Sequence, residues 1–265
     1  MKNQHDEKEI LLDDSDDGKL PTALSTLSEE SIHALYHQAK QIMGKMVDYK
    51  ELRTLYACAL KTVRTKLEIL CAEFDMQYHR NPINAIQTRL KTTSSIVSKL
   101  VKLRKTIDID SVQDNIHDIA GIRVICSYID DVFEIADALI KQDDVTLITK
   151  KDYITSPKEN GYRSLHLIVK VPVYLSERKL EMEVEVQIRT IAMDFWATLE
   201  HQLHYKSDFE GKESLVEELC ACAETIHKTD REMMRIRTQI EALSDAPTED
   251  EILIKKLRKI DAPIK

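Results

Sequence analysis

The chain has 265 residues, 43% hydrophobic and 32% charged, with a formal net charge of −8. That is a folding composition, long enough for one substantial domain with extra helices or for two small ones. The acidic balance weighs against a general nucleic-acid binder, which needs a basic excess to neutralise phosphates, so no DNA partner is expected. Five cysteines without CxxC spacing give neither a zinc site nor a disulfide frame and read as small buried hydrophobes in a reducing compartment. No apolar run approaches the ~18–20 residues that span a bilayer. The acidic N-terminus has no signal-peptide core, so the expectation is a cytoplasmic protein without a membrane partner.

In chain order, residues 1–27 carry Asp13, Asp14, Asp16 and Asp17 with little to bury and read as a flexible acidic tail. From about 28 to 75 the spacing is helical. Leu52, Tyr56, Ala59, Val63, Leu67, Leu70 and Phe74 follow at steps of three or four and predict a buried stripe. His79-Arg80-Asn81-Pro82 breaks this helix, and a second runs from about 92 to 105. The period then changes. Ile122–Tyr128 reads as a strand, 131–142 as a helix, and Val145–Ile148, Leu165–Val173 and Leu180–Ile188 as three more strands. Helices follow over about 190–206 and 212–243. Pro247 and a Thr248…Glu251 capping pair precede a short helical tail within 244–265. The fold class is α+β: a mixed sheet flanked by helices, with long helical extensions at both ends of a main domain spanning 28–243.

Chemistry concentrates in the middle. Between Met76 and Ile107 there is no acidic residue but there are seven basic ones. If the second helix extends back to 91, Lys91, Ser95, Lys99 and Lys102 share a face that suits a polyphosphate; a solvated basic face is the alternative. In His117-Asp118-Ile119-Ala120-Gly121-Ile122-Arg123, Asp118 stands where a strand begins, a place for a metal-ligating carboxylate, and the Arg123 guanidinium can lie on a base. Strict alternation puts these two on opposite faces, unless the strand bulges or starts at Gly121. A buried ion pair is the plainer reading. A metal-dependent hydrolase site fails here for want of a partner His and acidic pair.

Asn160-Gly161-Tyr162 is a turn followed by an aromatic expected to be exposed, with Lys151, Lys158, Arg163 and His166 around it; stacking plus cations is what a nucleotide site needs. If stacking is the role of Tyr162, its hydroxyl is dispensable. In Glu181–Thr190, alternation sends Met182, Val184, Val186 and Ile188 to the core and Glu183, Glu185 and Gln187 to the other face. Carboxylates crowded there become favourable beside a divalent cation or in a proton-accepting role. The next helix carries the single Trp, mostly packing, and Asp194 in its first turn could accept from guanine N1–H and N2–H. Leu215, Leu219, Cys222, Ile226, Thr229, Met233, Ile236, Ile240 and Leu243 form a narrow seam, for another chain or for this chain's own N-terminal helices.

Asp118-Ile119-Ala120-Gly121-Ile122-Arg123, Asn160-Gly161-Tyr162-Arg163-Ser164-Leu165-His166, Glu185-Val186-Gln187-Ile188-Arg189-Thr190 and Met193-Asp194-Phe195-Trp196-Ala197 together resemble the small alarmone synthetases. These are stand-alone (p)ppGpp synthetases of the RelP and RelQ kind, and the likeness is greater to RelP. The resemblance covers about residues 50 to 240. It implies a nucleotidyltransferase-like mixed sheet and an enzyme that moves the pyrophosphoryl group of ATP to the 3′-hydroxyl of GTP or GDP. By motif, Arg89 and Arg123 would sandwich adenine, and Lys91, Ser95 and Lys99 would hold the ATP phosphates, with Lys102 or Arg104 assisting. Asp118 and Glu185 would hold Mg²⁺, with Glu185 chosen as the base. Tyr162 would stack on guanine, with Lys151, Lys158 and His166 near the acceptor phosphates. The family also implies a homotetramer, and the chain length implies synthesis without hydrolysis. A catalytically silent guanine-nucleotide sensor, an RNA-binding module and a nucleotidyltransferase releasing pyrophosphate remain as alternatives.

Overall fold

A computed structural model of the chain describes residues 29–78, 80–205 and 212–243. The acidic tail and the C-terminal helical tail expected from the sequence lie outside the described residues, as does His79 of the helix-breaking string. The elements are α1 (Glu29–Tyr78), β1 (Ile83–Leu90), α2 (Thr93–Lys102), α3 (Ile109–Asn115), β2 (Ala120–Cys126), α4 (Ile129–Ile140), β3 (Thr146–Asp152), β4 (Leu165–Tyr174), β5 (Lys179–Thr190), α5 (Ile191–Tyr205) and α6 (Lys212–Leu243). The chain divides within α1 into two units, Met1–Glu51 and Leu52–Lys265. In the first, Met43, Met46 and Val47 of α1 are exposed. The second holds every strand of the described residues.

Its sheet has the order β1-β2-β5-β4-β3. β2 runs parallel to β5, and the other neighbours are antiparallel, so the sheet is mixed as expected. The seven-residue stripe from Leu52 to Phe74 is buried throughout. It packs with Val132, Ile135, Ala136 and Leu139 of α4 onto the face formed by Ile122, Val124, Leu167, Val169, Val184 and Val186. Alternation along β4 and β5 delivers this: every second residue is apolar and buried, and the residues between them stay on the opposite face. The helices thus close one side of the sheet and leave the polar side for chemistry.

Two elements were not expected. β1 is an edge strand exposed over much of its length, with no hydrophobic alternation to betray it. α3 is a single short helix capped by Asp108, whose carboxylate accepts from Ser111 N at 2.7 Å. α2 begins at Thr93 behind the N-cap Thr92, so Lys91 is not helical and the shared-face argument fails for it. It ends at Lys102, short of the expected 105, because Arg104 takes φ 55° and Lys105 N turns back to the Leu100 carbonyl. The cysteines are all free, but Cys126 alone is fully buried and Cys222 is exposed, so the expectation of small buried hydrophobes holds only in part. Among the described residues no helix is long and apolar enough to cross a membrane.

Candidate active site

Strand register assembles the polar face in two rows. Arg89 lies beside Gly121, Gly121 beside Glu185, and Glu185 beside Ile168. One step along, Gln87, Arg123, Gln187, His166 and Lys151 line up across all five strands. Side chains of one row share a face, so residues distant in sequence become neighbours without any loop having to place them. A cleft of about 240 Å³ opens over Gln87, Thr88, Arg89, Gly121, Arg123, Glu185 and Gln187. Gly121 packs directly under Arg89: a Cβ there would sit in ordinary van der Waals contact with the arginine side chain, at 3.5 Å.

Asp118 resolves the alternation problem by not being on the strand. It lies in the turn before β2, which starts at Ala120 with no bulge at Gly121. There it accepts from Lys91 Nζ at 2.6 Å and from Lys99 Nζ at 2.9 Å. Lys91 is pinned by its own backbone, its N–H donating to the Ile119 carbonyl at 2.8 Å and its carbonyl accepting from Arg53. Burial alone would raise the Asp118 pKa, but the two lysines outweigh it and hold the carboxyl below its ordinary value. Ser95 accepts from the Thr92 hydroxyl, one turn away. Lys102 is exposed.

Glu185 is mostly buried. Burial and the Asp118 charge push its pKa up, but His166 (Nδ1 to Oε1 3.5 Å) and Gln187 (Nε2 to Oε2 3.0 Å) prevail, so it too stays ionised below the usual range. Neither end of the face gathers three acidic, His or Cys ligands among the described residues. An all-oxygen pair that leaves other positions to phosphate oxygens and water fits Mg²⁺, which is bound by one or two carboxylates plus substrate phosphates.

Tyr162 is not the exposed aromatic that the turn predicts. Gly161 does make the turn, at φ +84°, but the Tyr162 ring sits edge-on to Tyr153 and His166, with Lys158 Nζ 4.8 Å from both tyrosine rings. Its hydroxyl meets His166 Nε2 at 2.8 Å and accepts from Arg189 Nη2 at 2.9 Å, so it is engaged in the site. Burial outweighs the lowering effect of Arg189 and leaves the phenol above its ordinary pKa. Lys151 remains exposed at the far strand.

Arg189 is the buried residue of this face that the sequence did not single out. It is 2% exposed and also donates to Gln187 Oε1 at 2.9 Å and to Asp194 Oδ1 at 3.3 Å. Burial depresses its pKa. The same Asp194 oxygen pairs with Arg123 at 3.3 Å, so Asp194 joins the two arginines. Continuing the polar row Glu183, Glu185, Gln187 by one more step would have reached Arg189.

A family model described as the region found in RelA/SpoT proteins matches residues 88–210, which hold every one of these groups except Arg53 and Gln87. GTP pyrophosphokinase YwaC of Bacillus subtilis (strain 168) is 41% identical over 196 residues, 74% of this chain and 93% of that protein. The crystal structure of small alarmone synthetase 2 from B. subtilis matches with a TM-score of 0.65 at 42% identity, over 72% of this chain and 99% of that one. That of small alarmone synthetase 1 bound to its product pppGpp matches with a TM-score of 0.65 at 32% identity, over 73% and 98%. The fold is that of the region found in RelA/SpoT proteins. Within that class, the chain belongs to the small alarmone synthetases, the GTP pyrophosphokinases resembled at the level of motifs.

Proposed function

We propose that the chain transfers the β,γ-pyrophosphoryl group of ATP to the ribose 3′-hydroxyl of GTP or GDP, releasing AMP and making pppGpp or ppGpp. The observation that carries this is the sheet face itself. At one end two lysines converge on a carboxylate beside a cleft lined by two arginines; at the other an aromatic ring is held by the buried Arg189; an ionised glutamate lies between.

ATP would enter at the first end. Arg89 and Arg123 present flat guanidinium groups for adenine, and Lys91 and Lys99 are the cations nearest the phosphates, with Ser95 one turn along. The lysines are paired with Asp118 now; a triphosphate offers them equivalent oxygens, so the exchange conserves charge pairing. The acceptor base would stack on Tyr162, its phosphates toward Lys151, Lys158 and His166. Glu185, already ionised and oriented by His166 and Gln187, accepts the 3′-hydroxyl proton as that oxygen attacks the β-phosphorus. The electron pair of the breaking bond leaves on AMP. Asp118 and Glu185 would hold Mg²⁺, which neutralises charge on the phosphoryl oxygens. Asp194 stays tied to Arg189 and Arg123, and its contact to guanine would be made by its remaining acceptor capacity.

A homotetramer is part of this reading. On α6, Met233, Ile236 and Ile240 are 51, 37 and 60% exposed, and a groove of about 610 Å³ beside them is lined by Ile191 and Phe195. Leu219 and Ile226 of the same seam turn inward against Trp196, so on this reading only its exposed remainder is left for a partner copy to cover. Light scattering reading four chains checks it. The function is tested by incubating the protein with ATP, GTP and Mg²⁺ and resolving the products. AMP with a 3′-pyrophosphorylated guanine nucleotide is expected; pyrophosphate release, or binding without turnover, overturns the reading.

A further inference from the structure

The segment that carries Tyr162 takes its position from α6. Gly161 lies so close to the helix that a Cβ on it would stand 2.6 Å from the Ala223 Cβ and 3.6 Å from the Cys220 Cα. Polar links flank that contact: Cys220 Sγ donates to the Glu159 carbonyl at 3.2 Å, and Glu224 accepts from Arg163 Nη2 at 3.0 Å. Cys220, Ala223 and Glu224 are spaced i, i+3, i+4 and therefore share one face of α6. Arg163 Nη1 also donates to the Ile154 carbonyl at 2.8 Å, tying the far side of the loop to its beginning.

The loop itself is a closed unit. Gly161 N donates to the Lys158 carbonyl at 2.8 Å and Lys158 N to the Tyr162 carbonyl at 3.2 Å. The helix is equally fixed, by Trp196 Nε1 donating to the Leu219 carbonyl at 3.1 Å and by Thr190 Oγ donating to Asp230 at 2.6 Å. Packing between them leaves a void of only about 10 Å³, so added volume on α6 is absorbed by moving the loop.

We infer that Ala223 and Glu224 are positioning residues for the acceptor nucleotide: they set the height of the 158–163 loop, and with it the Tyr162 ring, without touching either nucleotide. The inference rests on the proposed pyrophosphoryl transfer and deepens its acceptor half. Misplacing a ring whose stacking is worth ~1–3 kcal/mol per base should weaken the acceptor about tenfold and leave the donor alone.

The experiment uses the full chain with Ala223→Leu, Glu224→Lys and Glu224→Gln. Steady-state KM for GTP and for ATP is measured in each, together with the calorimetric Kd of GDP. Ala223→Leu and Glu224→Lys should raise the KM for GTP and the Kd of GDP about tenfold, with the KM for ATP and kcat at saturating GTP within about twofold of wild type. Glu224→Gln, which keeps an acceptor for Arg163, should stay near wild type. Glu224 is half exposed, so Glu224→Lys carries the test even where Ala223→Leu does not fold. Equal rises in both KM values, or an unmoved KM for GTP in Glu224→Lys, overturn the inference. A wild type that binds GDP but releases no AMP overturns the transfer reading instead, and the Kd of GDP still decides the positioning role.

Discussion

The two halves of the polar face are built differently. The donor half comes from one short stretch, residues 87–123, and is held by ion pairs that reach solvent: Lys91 and Lys99 on Asp118, with Arg89 open in the cleft. The acceptor half is gathered from β4, β5, α5 and α6, and is held by packing and by a buried network around Arg189 and the Tyr162 hydroxyl. On the proposed reading, the contrast follows from what each half would bind. A polyphosphate with its cation brings charge and replaces the pairs it meets, so those pairs must be exchangeable. A flat neutral base brings area, and stacking on it rewards a surface that does not move.

The residue between the halves should show the largest effect. Glu185→Gln keeps its shape and its Gln187 contact but loses the charge that accepts the proton or binds metal. Turnover should fall at least ~10²-fold with the fold intact by circular dichroism. Near-wild-type turnover would remove Glu185 from the chemistry and with it the division into donor and acceptor sides.

Arginine substitutions should separate the halves. Arg89 touches only the donor cleft, so Arg89→Lys should raise the KM for ATP about tenfold and leave that for GTP unchanged, since lysine lacks the planar fork. Arg123 pairs with Asp194, which Arg189 also holds. Arg123→Lys should therefore disturb both KM values. Identical behaviour of the two variants would mean that the Arg123–Asp194 pair couples nothing. Tyr162→Phe gives a smaller effect. Two hydrogen bonds to the hydroxyl are lost, each worth about 1 kcal/mol, so the KM for GTP should rise several-fold, and not stay silent as pure stacking predicts.

What could be read beforehand follows the same division. The core was legible because burial writes itself into periodicity: the α1 stripe and the alternation of β5 need no tertiary knowledge. β1 was illegible for a functional reason, since its Gln87, Thr88 and Arg89 line the cleft and an edge strand has little to bury. Lys91 and Lys99 do meet at one carboxylate, but through the turn at Asp118 and not along a helix face. The acceptor half resisted most. That Tyr162 is enclosed depends on α6, some sixty residues downstream, and nothing in the polar row that ends at Arg189 signals that this charge is buried.

One chemical change made on both sides offers the finest test of the comparison, because the carboxyls of Asp118 and Asp230 are shifted in opposite directions. Asp118 is held below its ordinary value by the two lysines, so its contribution to stability is present above the unfolded value near 4 and is lost as pH falls through the folded one. Asp230 lies buried on α6 against the Thr190 hydroxyl, and burial raises its pKa despite that bond. It resists ionisation when folded, so stability falls as pH rises from near 4 toward its raised value. Asp118→Asn should then lower Tm at pH 7 and slow turnover no more than Glu185→Gln does, with the Tm gap closing in acid. Asp230→Asn keeps an acceptor for Thr190 and discards only the buried charge. Its Tm should be slightly above wild type at pH 7, converge with it near pH 4, and its turnover should be unchanged. A lower Tm for Asp230→Asn at pH 7 would show that the acceptor half, too, depends on a paired charge, and the distinction between exchangeable pairs and fixed packing would fail there.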